Sequence, residues 1–152
     1  MAQKETLSSL THGNFAKELS ISAGKMPPNA VEFEKLVIGT FLIDKKGLDY
    51  SIDLLTPEDF YDPRHQVIFS AILKLYEKNE PVDLMTVIQE LKKEEKLGFA
   101  GGDHYIIDLT MGVSSSAHIE YHVRVILEKF ILRSLINVSA NVIDSSYKES
   151  TD

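Results

Sequence analysis

The sequence predicts an all-α fold, with a compact multi-helix head followed by a long helix that forms part of a helical hairpin. Apolar residues recur at three- and four-residue spacing through most of the chain, as they do in amphipathic helices. No run alternates long enough with the period of two that a strand needs. Capping residues, twice with a proline directly after them, stand before the apolar segments. The 152 residues, 43% of them hydrophobic, can bury a core without a metal or a disulfide.

Three segments are expected along the chain. Residues 1–28 are polar and weakly periodic and end in Pro27-Pro28, which predicts a flexible N-terminal tail. Residues 29–112 carry closely spaced helices and form the head. Residues 113–152 begin with a serine-rich linker and continue into the long helix, the first hairpin arm.

Capping signals predict the first two helices of the head. Asn29 is a favoured N-cap residue, and Glu32 three positions later completes a capping-box pair. Residues 44–47, DKKG, are typical of a turn, and a short helix is expected over residues 48–54. The apolar stripe of the first helix comprises Val31, Leu36, Val37, Ile38, Thr40, Phe41 and Leu42.

Two capping residues followed by prolines predict the next elements. In TPEDF, Thr56 is the expected cap, and Asp59 stands three residues after it. Asp62 repeats the pattern and begins a helix that the residues 79–81, NEP, end. The expected core residues of this helix are Val67, Ile68, Ala71, Ile72, Leu75 and Tyr76.

Two shorter helices and the long one complete the chain. Asp83 is expected to cap the next helix and Gly98 to end it. The pair Gly101-Gly102 makes a turn before a short helix over DHYIIDLT. Ser116 is expected to cap the long helix, which extends to about Tyr147. The inward residues of the two shorter helices are Leu84, Val87, Ile88, Leu91, Tyr105, Ile106 and Leu109.

The long helix carries two apolar faces. The broad, core-facing stripe comprises Ile119, Val123, Ile126, Leu127, Phe130, Ile131 and Leu135. The roughly opposite side carries Val125, Leu132 and Ile136, with Tyr121 beside them and Ile143 further along. This second face is covered either by residues 137–147 folding back or by another chain. We expect a subunit or partner interface formed by Ile119, Tyr121, Val125, Leu132 and Ile136.

Bulk properties exclude several classes of function. The net charge of −7 means that the average surface repels a nucleic-acid backbone. The absence of cysteine excludes disulfides and thiolate metal sites, and no apolar run has the ~20 residues of a membrane span. A cytoplasmic protein with no membrane partner is expected. Gly24-Lys25 is followed by Met26 and makes no phosphate-binding loop, so nucleotide hydrolysis is not encoded in these residues.

Three polar clusters are candidates for catalysis or metal binding. His118 and His122, four residues apart on one helix, could share a metal with Glu120 or His104. Two half-exposed histidines on the polar flank of a helix are the simpler interpretation. Asp59, Asp62, Arg64 and His65 could supply a general acid, a general base and a residue that holds the substrate. The run Ser114, Ser115 and Ser116 could supply a nucleophile.

Capping explains those clusters more simply. A cap needs only a side-chain oxygen, and no G-x-S-x-G elbow surrounds the serines. We therefore assign no catalytic, cofactor-binding or metal-binding residue. Two alternatives stay open: a metal-dependent helical enzyme using His104, His118 and His122, and a free-standing helical adaptor.

Five segments, in order, resemble the N-terminal domain of the bacterial replicative DNA helicase, the DnaB family. They lie between about Met26 and Ser145 and read MPPNAVEFEKLVIGTFLID, DFYDPRHQVIF, PVDLMTVIQEL, GGDHYIIDL and SAHIEYHVRVILEKFILRSLI. Where relatives commonly have Asn-Ile and Tyr-Ala, this chain has His118-Ile119 and Tyr121-His122.

The resemblance implies a non-catalytic domain for assembly and docking in DNA replication. Paired hairpins would join six subunits into a collar of three dimers. The collar would receive primase and, in some bacteria, a helicase loader. ATP, Mg²⁺ and DNA would bind an ATPase domain outside these residues, and this segment itself would need no cofactor. The second apolar face of the long helix would then pack on a neighbouring arm or subunit.

Overall fold

The computed structural model describes residues 18–19 and 23–150. Over these residues it contains six α-helices, two short 3-10 helices and no strand, which confirms the all-α class. The 3-10 helices are Ile52–Leu54 and Pro57–Asp59. The α-helices are α1 (Val31–Ile43), α2 (Lys45–Ser51), α3 (Pro63–Glu77), α4 (Leu84–Lys93), α5 (Gly102–Met111) and α6 (Ile119–Glu149).

The chain divides into two compact units. The main unit comprises residues 29–130, and the second unit combines residues up to 28 with those from 131 onward. Residues 113–130 thus belong with the predicted head, because the first turns of α6 bury Ile119, Val123 and Ile126 in the core of the main unit. Most of the predicted tail lies outside the described residues, so the tail stays a prediction.

The core of the main unit is aliphatic around a small aromatic centre. The α1 helix packs against α3 and α5, and α3 packs against α4. The Phe69 ring lies 5.0 Å from the Phe60 ring and 6.1 Å from the Phe41 ring, between centroids, a separation typical of favourable aromatic pairs. The predicted inward residues of α3 and α4 that are fully buried are Ile68, Ala71, Ile72, Leu75, Val87, Ile88 and Leu91.

Three predicted caps are present. The Thr56 N–H donates to Asp59 Oδ2 over 2.6 Å, which fixes the 3-10 turn Pro57–Asp59 directly before α3. The Asp62 carboxylate accepts from the Arg64 N–H over 2.9 Å. The Asp83 carboxylate accepts from the Thr86 N–H over 2.9 Å. Each cap satisfies a donor that the first turn of a helix leaves free, so the sequence signals have a local cause.

The predicted cap of α1 is wrong by one residue. Ala30, not Asn29, has the non-helical backbone of the N-cap position, and it supplies no side-chain hydrogen bond. Glu32 does not close a capping box. Its carboxylate accepts instead from the Lys35 ammonium one turn later, over 2.7 Å.

The predicted turn over residues 44–47 is also wrong, because this segment is the start of a helix. The Asp44 carboxylate accepts from the Lys46 N–H over 2.9 Å and so caps α2. Gly47 is buried inside α2, where a Cβ would lie 3.0 Å from Cγ2 of Thr40. The glycine therefore serves close packing of α2 on α1 rather than a turn.

The end of α4 differs from the prediction as well. The helix ends at Lys93, before Gly98. Glu95 takes a left-handed conformation with φ of 58°, and the Lys96 N–H donates to the Leu91 carbonyl over 2.9 Å. A glutamate thus occupies the left-handed position where glycine is usual after a helix.

The start of α6 lies after the predicted cap. The helix begins at Ile119, whose N–H donates to the Ser116 carbonyl over 3.1 Å. Ser116 therefore accepts at the start of α6 through its backbone carbonyl. Its side chain is the main cause that holds the pKa of Asp44 below its usual range.

A three-residue charge cluster joins α3 to α4. The Lys74 ammonium lies 2.8 Å from Glu90 Oε1 and also contacts the Glu94 carboxylate. Glu90 is buried, so its charge needs this partner. The lysine holds the pKa of both carboxyls below their ordinary value, and the carboxyls raise the pKa of Lys74.

These lowered pKa values predict an acid-sensitive contribution to stability. A carboxyl whose pKa is lower in the folded state stabilises the fold at neutral pH, and this contribution is lost as the pH falls through the folded-state pKa. Lys74→Met should therefore lose less unfolding free energy between pH ~7 and pH ~3 than the unmodified chain. Urea unfolding at both pH values measures this. Lys35→Met, which removes an exposed pair, is the control, and equal losses in all three proteins would contradict the prediction.

Candidate interaction surface

The five residues predicted to form an interface lie along α6 in different environments. Ile119 is only 7% exposed and belongs to the core of the main unit. Val125 is half-buried, and Tyr121 is exposed with its ring edge-on to Phe33 at 6.2 Å between centroids. Ile119 thus has its packing partners within its own chain. The use of these residues as an interface stays a prediction.

The other two predicted interface residues lie in the second unit. Leu132 is 44% exposed and Ile136 is half-buried. Ile143 and Tyr147 continue their side of α6 and are exposed. An apolar side of α6 beyond residue 130 is therefore accessible to another chain.

The predicted core-facing stripe is correct only up to Phe130. Val123 and Ile126 are fully buried, but Ile131 and Leu135 are more than half exposed. The two exposed residues belong to the second unit, where no described segment covers that side of the helix. The apolar periodicity of α6 thus continues beyond Phe130, but the core of the main unit does not extend that far.

A second exposed apolar line on α6 was not predicted. Ile131, Leu135, Val138 and Val142, which we call the seam, are each 56–60% exposed. Their spacing of four, three and four residues is a heptad pattern, the signal by which sequence analysis could have found them. A shallow groove of about 350 Å³ continues the seam and is lined by Val138, Asn141, Val142, Ser145, Ser146 and Glu149.

The side of α6 away from the seam has a partner inside the second unit. The Arg133 guanidinium donates from Nη1 to the Pro28 carbonyl over 2.9 Å. This bond joins residues 105 positions apart and attaches the chain before α1 to the helix. Arg133 therefore lies on a different side of α6 from the exposed seam.

A buried polar network in the main unit was missed in the sequence. The Glu34 carboxylate accepts from the Tyr61 N–H over 2.6 Å and from the Asp62 N–H over 3.3 Å. His65 Nδ1 lies 2.6 Å from Glu34 Oε2, and its Nε2 lies 2.7 Å from the Tyr105 hydroxyl. The network ties α1, α3 and α5 together. Its members are 31 and 40 residues apart, so no local spacing indicates it.

Asp62 and Arg64, the candidate acid–base residues outside this network, form the cap of α3. Arg64 donates to Asp62 from Nε and Nη2, the latter over 2.7 Å, and these bonds lower the pKa of Asp62. The guanidinium carbon lies 4.1 Å from the centre of the Tyr105 ring, a cation–π distance. Burial raises the pKa of the Tyr105 hydroxyl. Arg64 and Asp62 thus fix the start of α3 against α5.

The histidines do not meet in a ligand set. His104 is exposed and lies 3.6 Å from Asp108, one turn away. His122 packs against Phe33 at 5.3 Å, and burial, followed by the neighbouring His118, lowers its pKa. Among the described residues, no three histidine, aspartate or glutamate side chains are close enough to hold a metal ion. The metal-enzyme alternative therefore has no support in this part of the chain.

Comparison with known proteins places the chain in a family. Residues 26–128 match the family described as DnaB-like helicase N terminal domain. The chain belongs to this family. The replicative DNA helicase DnaB of Rhodothermus marinus is 45% identical over 130 residues, which are 86% of this chain and 14% of that protein. The DnaB helicase of Geobacillus stearothermophilus is 38% identical over 123 residues, 81% of this chain and 27% of that protein.

Solved structures of the DnaB N-terminal domain have the same fold. The domain from Mycobacterium tuberculosis is 33% identical, with a TM-score of 0.80 over 84% of this chain and 91% of that one. The domain from Helicobacter pylori is 19% identical, with a TM-score of 0.66 over 91% and 99%. The chain therefore corresponds to the DnaB N-terminal domain, and it spans 14% and 27% of the length of the two DnaB proteins. No helix of the described residues is long and apolar enough to cross a membrane.

Proposed function

We propose that this DnaB N-terminal domain joins helicase subunits and docks primase during DNA replication, without catalysing a reaction itself. The observation that carries the proposal is the exposed apolar side of α6 beyond residue 130. Apolar patches of this kind on otherwise charged proteins mark interaction sites. In the sequence-based interpretation, Leu132 and Ile136 pack on a neighbouring hairpin arm or subunit, with Tyr121 at the rim.

The assembly that we propose is a collar of three hairpin dimers on a six-membered ring. The parent protein would be an ATP-dependent DNA helicase in the cytoplasm, with ATP, Mg²⁺ and DNA bound by a separate ATPase domain. The parent reading frame distinguishes this proposal from a free-standing adaptor. The helicase requires a downstream G-x-x-x-x-G-K-[ST] loop, which the adaptor would lack.

Primase is the partner that we propose for the collar, and a helicase loader is a further one. The Helicobacter pylori domain, which shares this fold, was described together with its interactions with primase. Titration of the chain with the helicase-binding domain of the primase from the same organism tests the proposal. Saturable binding of one domain to a stable assembly would support docking on the collar, and no binding at high concentration would contradict it.

Leu132→Asp should abolish self-association while leaving the main unit folded. The aspartate places a charge on an exposed aliphatic position, where assembly would have to bury it unpaired. The loss of one buried anchor can cost ~2 kcal/mol or more of binding free energy, about a 30-fold weaker association. Light scattering over a concentration series measures the mass, and circular dichroism checks the fold.

Met85→Asp is the matched control for this variant. Met85 is similarly exposed and apolar but lies on α4 in the main unit. The control should assemble like the unmodified chain. If Leu132→Asp keeps the mass of the unmodified protein at every concentration, Leu132 is not in the interface. If the unmodified chain is strictly monomeric, the self-association proposal is wrong for this segment.

A further inference from the structure

We propose that the segment of this chain that ends at Pro28 docks on α6 beyond residue 130 and covers the side that carries Arg133 and Ala140. The occupant belongs to the same chain, so the contact forms within one molecule and needs no second copy. The inference does not rest on the proposed self-association, and it concerns a different side of α6 from the seam.

Ala140 is fully buried although the helix around it is largely exposed. Its exposed fraction is 0%, whereas Val138 and Val142, two residues to either side, are each 60% exposed. A helix does not bury one of its own alanines, because its side chains project outward from the axis. A fully buried residue typically contacts about 6–12 other residues, so another segment must lie on this side of α6.

Three half-buried residues extend the covered side along α6. Arg133 and Ile136 stand seven and four residues before Ala140, and Asp144 stands four residues after it. These spacings place all four residues on one side of a helix. From Arg133 to Asp144 the covered strip is about 16 Å long.

The segment that ends at Pro28 is the part of the second unit that is available to cover this strip. Apart from α6 and the last residues of the chain, the unit contains only that segment. The hydrogen bond from Arg133 Nη1 to the Pro28 carbonyl, over 2.9 Å, fixes the end of the segment at one end of the strip. Its charged donor makes this bond stronger than one between neutral groups. The segment is therefore already attached to the side of α6 that is covered.

The reach of the segment fits the strip. The chain from Gly24 to Pro28 spans up to about 14 Å, and Arg133 and Ala140 are about 10 Å apart along α6. Chain leading back from Pro28 thus reaches the level of Ala140 near Gly24. Followed in the direction of the sequence, the segment then runs antiparallel to α6.

A helical turn before Gly24 supplies an apolar side chain for the contact. The Ala23 N–H donates to the Leu19 carbonyl over 3.0 Å, and Gly24 then takes a left-handed conformation with φ of 66°. Leu19 is 42% exposed, so more than half of its surface is covered. In the proposed contact this leucine packs on α6 within a helical turn of Ala140.

Thiol labelling tests the contact, and the chain suits it because it contains no cysteine. Ala140→Cys places a small thiol on the covered side, and Val138→Cys places one on the exposed seam as the reference. Both proteins are treated with an excess of a maleimide, and the rate of labelling is measured by mass spectrometry. We expect the thiol at position 140 to react on the order of tenfold more slowly, because the contact must open first.

Leu19→Asp in the Ala140→Cys chain identifies what covers the thiol. The aspartate charge would have to lose water in the contact, so the segment should detach and the labelling rate should rise to about that of the reference. Met26→Asp is the matched control, because Met26 lies in the same segment but is 76% exposed. This control should leave the slow rate unchanged. Circular dichroism checks that each variant folds.

Three results would overturn the proposal. If Ala140→Cys reacts as fast as Val138→Cys, nothing covers that side of α6. If Leu19→Asp leaves the slow rate unchanged, the segment is not the cover. If protection is lost on dilution, a second copy provides it, because a contact within one molecule does not depend on protein concentration. A chain that is monomeric in light scattering contradicts the proposed self-association and leaves this contact untouched.

Discussion

Gly39→Ala is expected to unfold the main unit or to destabilise it by at least ~3 kcal/mol. A Cβ at this position would lie 2.1 Å from the Leu109 carbonyl oxygen and 2.7 Å from Cγ2 of Val113. The first of these atoms belongs to the backbone of α5, so no rotamer change can relieve the clash. The α1 and α5 helices would have to separate, and the core that they share would lose its packing.

Urea unfolding and thermal melting of the Gly39→Ala chain measure this effect. Gly98→Ala is the matched control, because a Cβ there meets no atom within 4 Å. The control should change the free energy of unfolding by less than ~1 kcal/mol. A Gly39→Ala chain as stable as the control would mean that the α1–α5 contact can open without cost, against the packing described above.

Glu34→Ala should cost the main unit at least ~3 kcal/mol of unfolding free energy. The side chain is 1% exposed and accepts from two backbone N–H groups at the start of α3. It also contacts His65, which is itself fully buried. Removal of the carboxylate leaves the buried His65 ring and the two part-buried N–H groups without that acceptor, and it leaves a cavity in its place.

Glu32→Ala is the control for this change, since it removes the same side chain two residues away on α1. Glu32 is exposed and pairs only with Lys35 among the contacts described here, so its loss should cost less than ~1 kcal/mol. Urea unfolding of both variants makes the comparison. Equal, small effects would mean that water or a rearranged His65 replaces the carboxylate, and the network would then not be a main support of the fold.

Local chemistry explains why much of the fold was predictable. The caps at Thr56, Asp62 and Asp83 each satisfy a donor within three residues, so the sequence alone indicates where these helices begin. The errors at residues 44–47 and at Gly98 have the opposite cause. In both places the pattern uses a glycine as the signal of a turn or a helix end. Gly47 instead lies inside α2, where it packs against Thr40. At the end of α4, Glu95 and not Gly98 takes the left-handed conformation.

The exposed apolar sides of α6 were predictable only in part. The periodicity of the sequence predicts two apolar sides on α6. A helix that is apolar on two sides needs something to cover each of them. The heptad spacing of the seam is visible in the sequence too. Ile131 and Leu135, however, also continue the stripe to which the buried residues Val123 and Ile126 belong. Periodicity gives the direction in which a side chain points and not whether anything lies there.

The sequence by itself determined the helical class, most helix starts and the family, because these depend on neighbouring residues and on their order along the chain. Only the tertiary structure decided three features. These are the contact of Gly39 with α5, the network of Glu34, His65 and Tyr105, and the exposure of the seam. Each depends on whether segments far apart in the chain come into contact. A local sequence pattern does not indicate which distant segments meet.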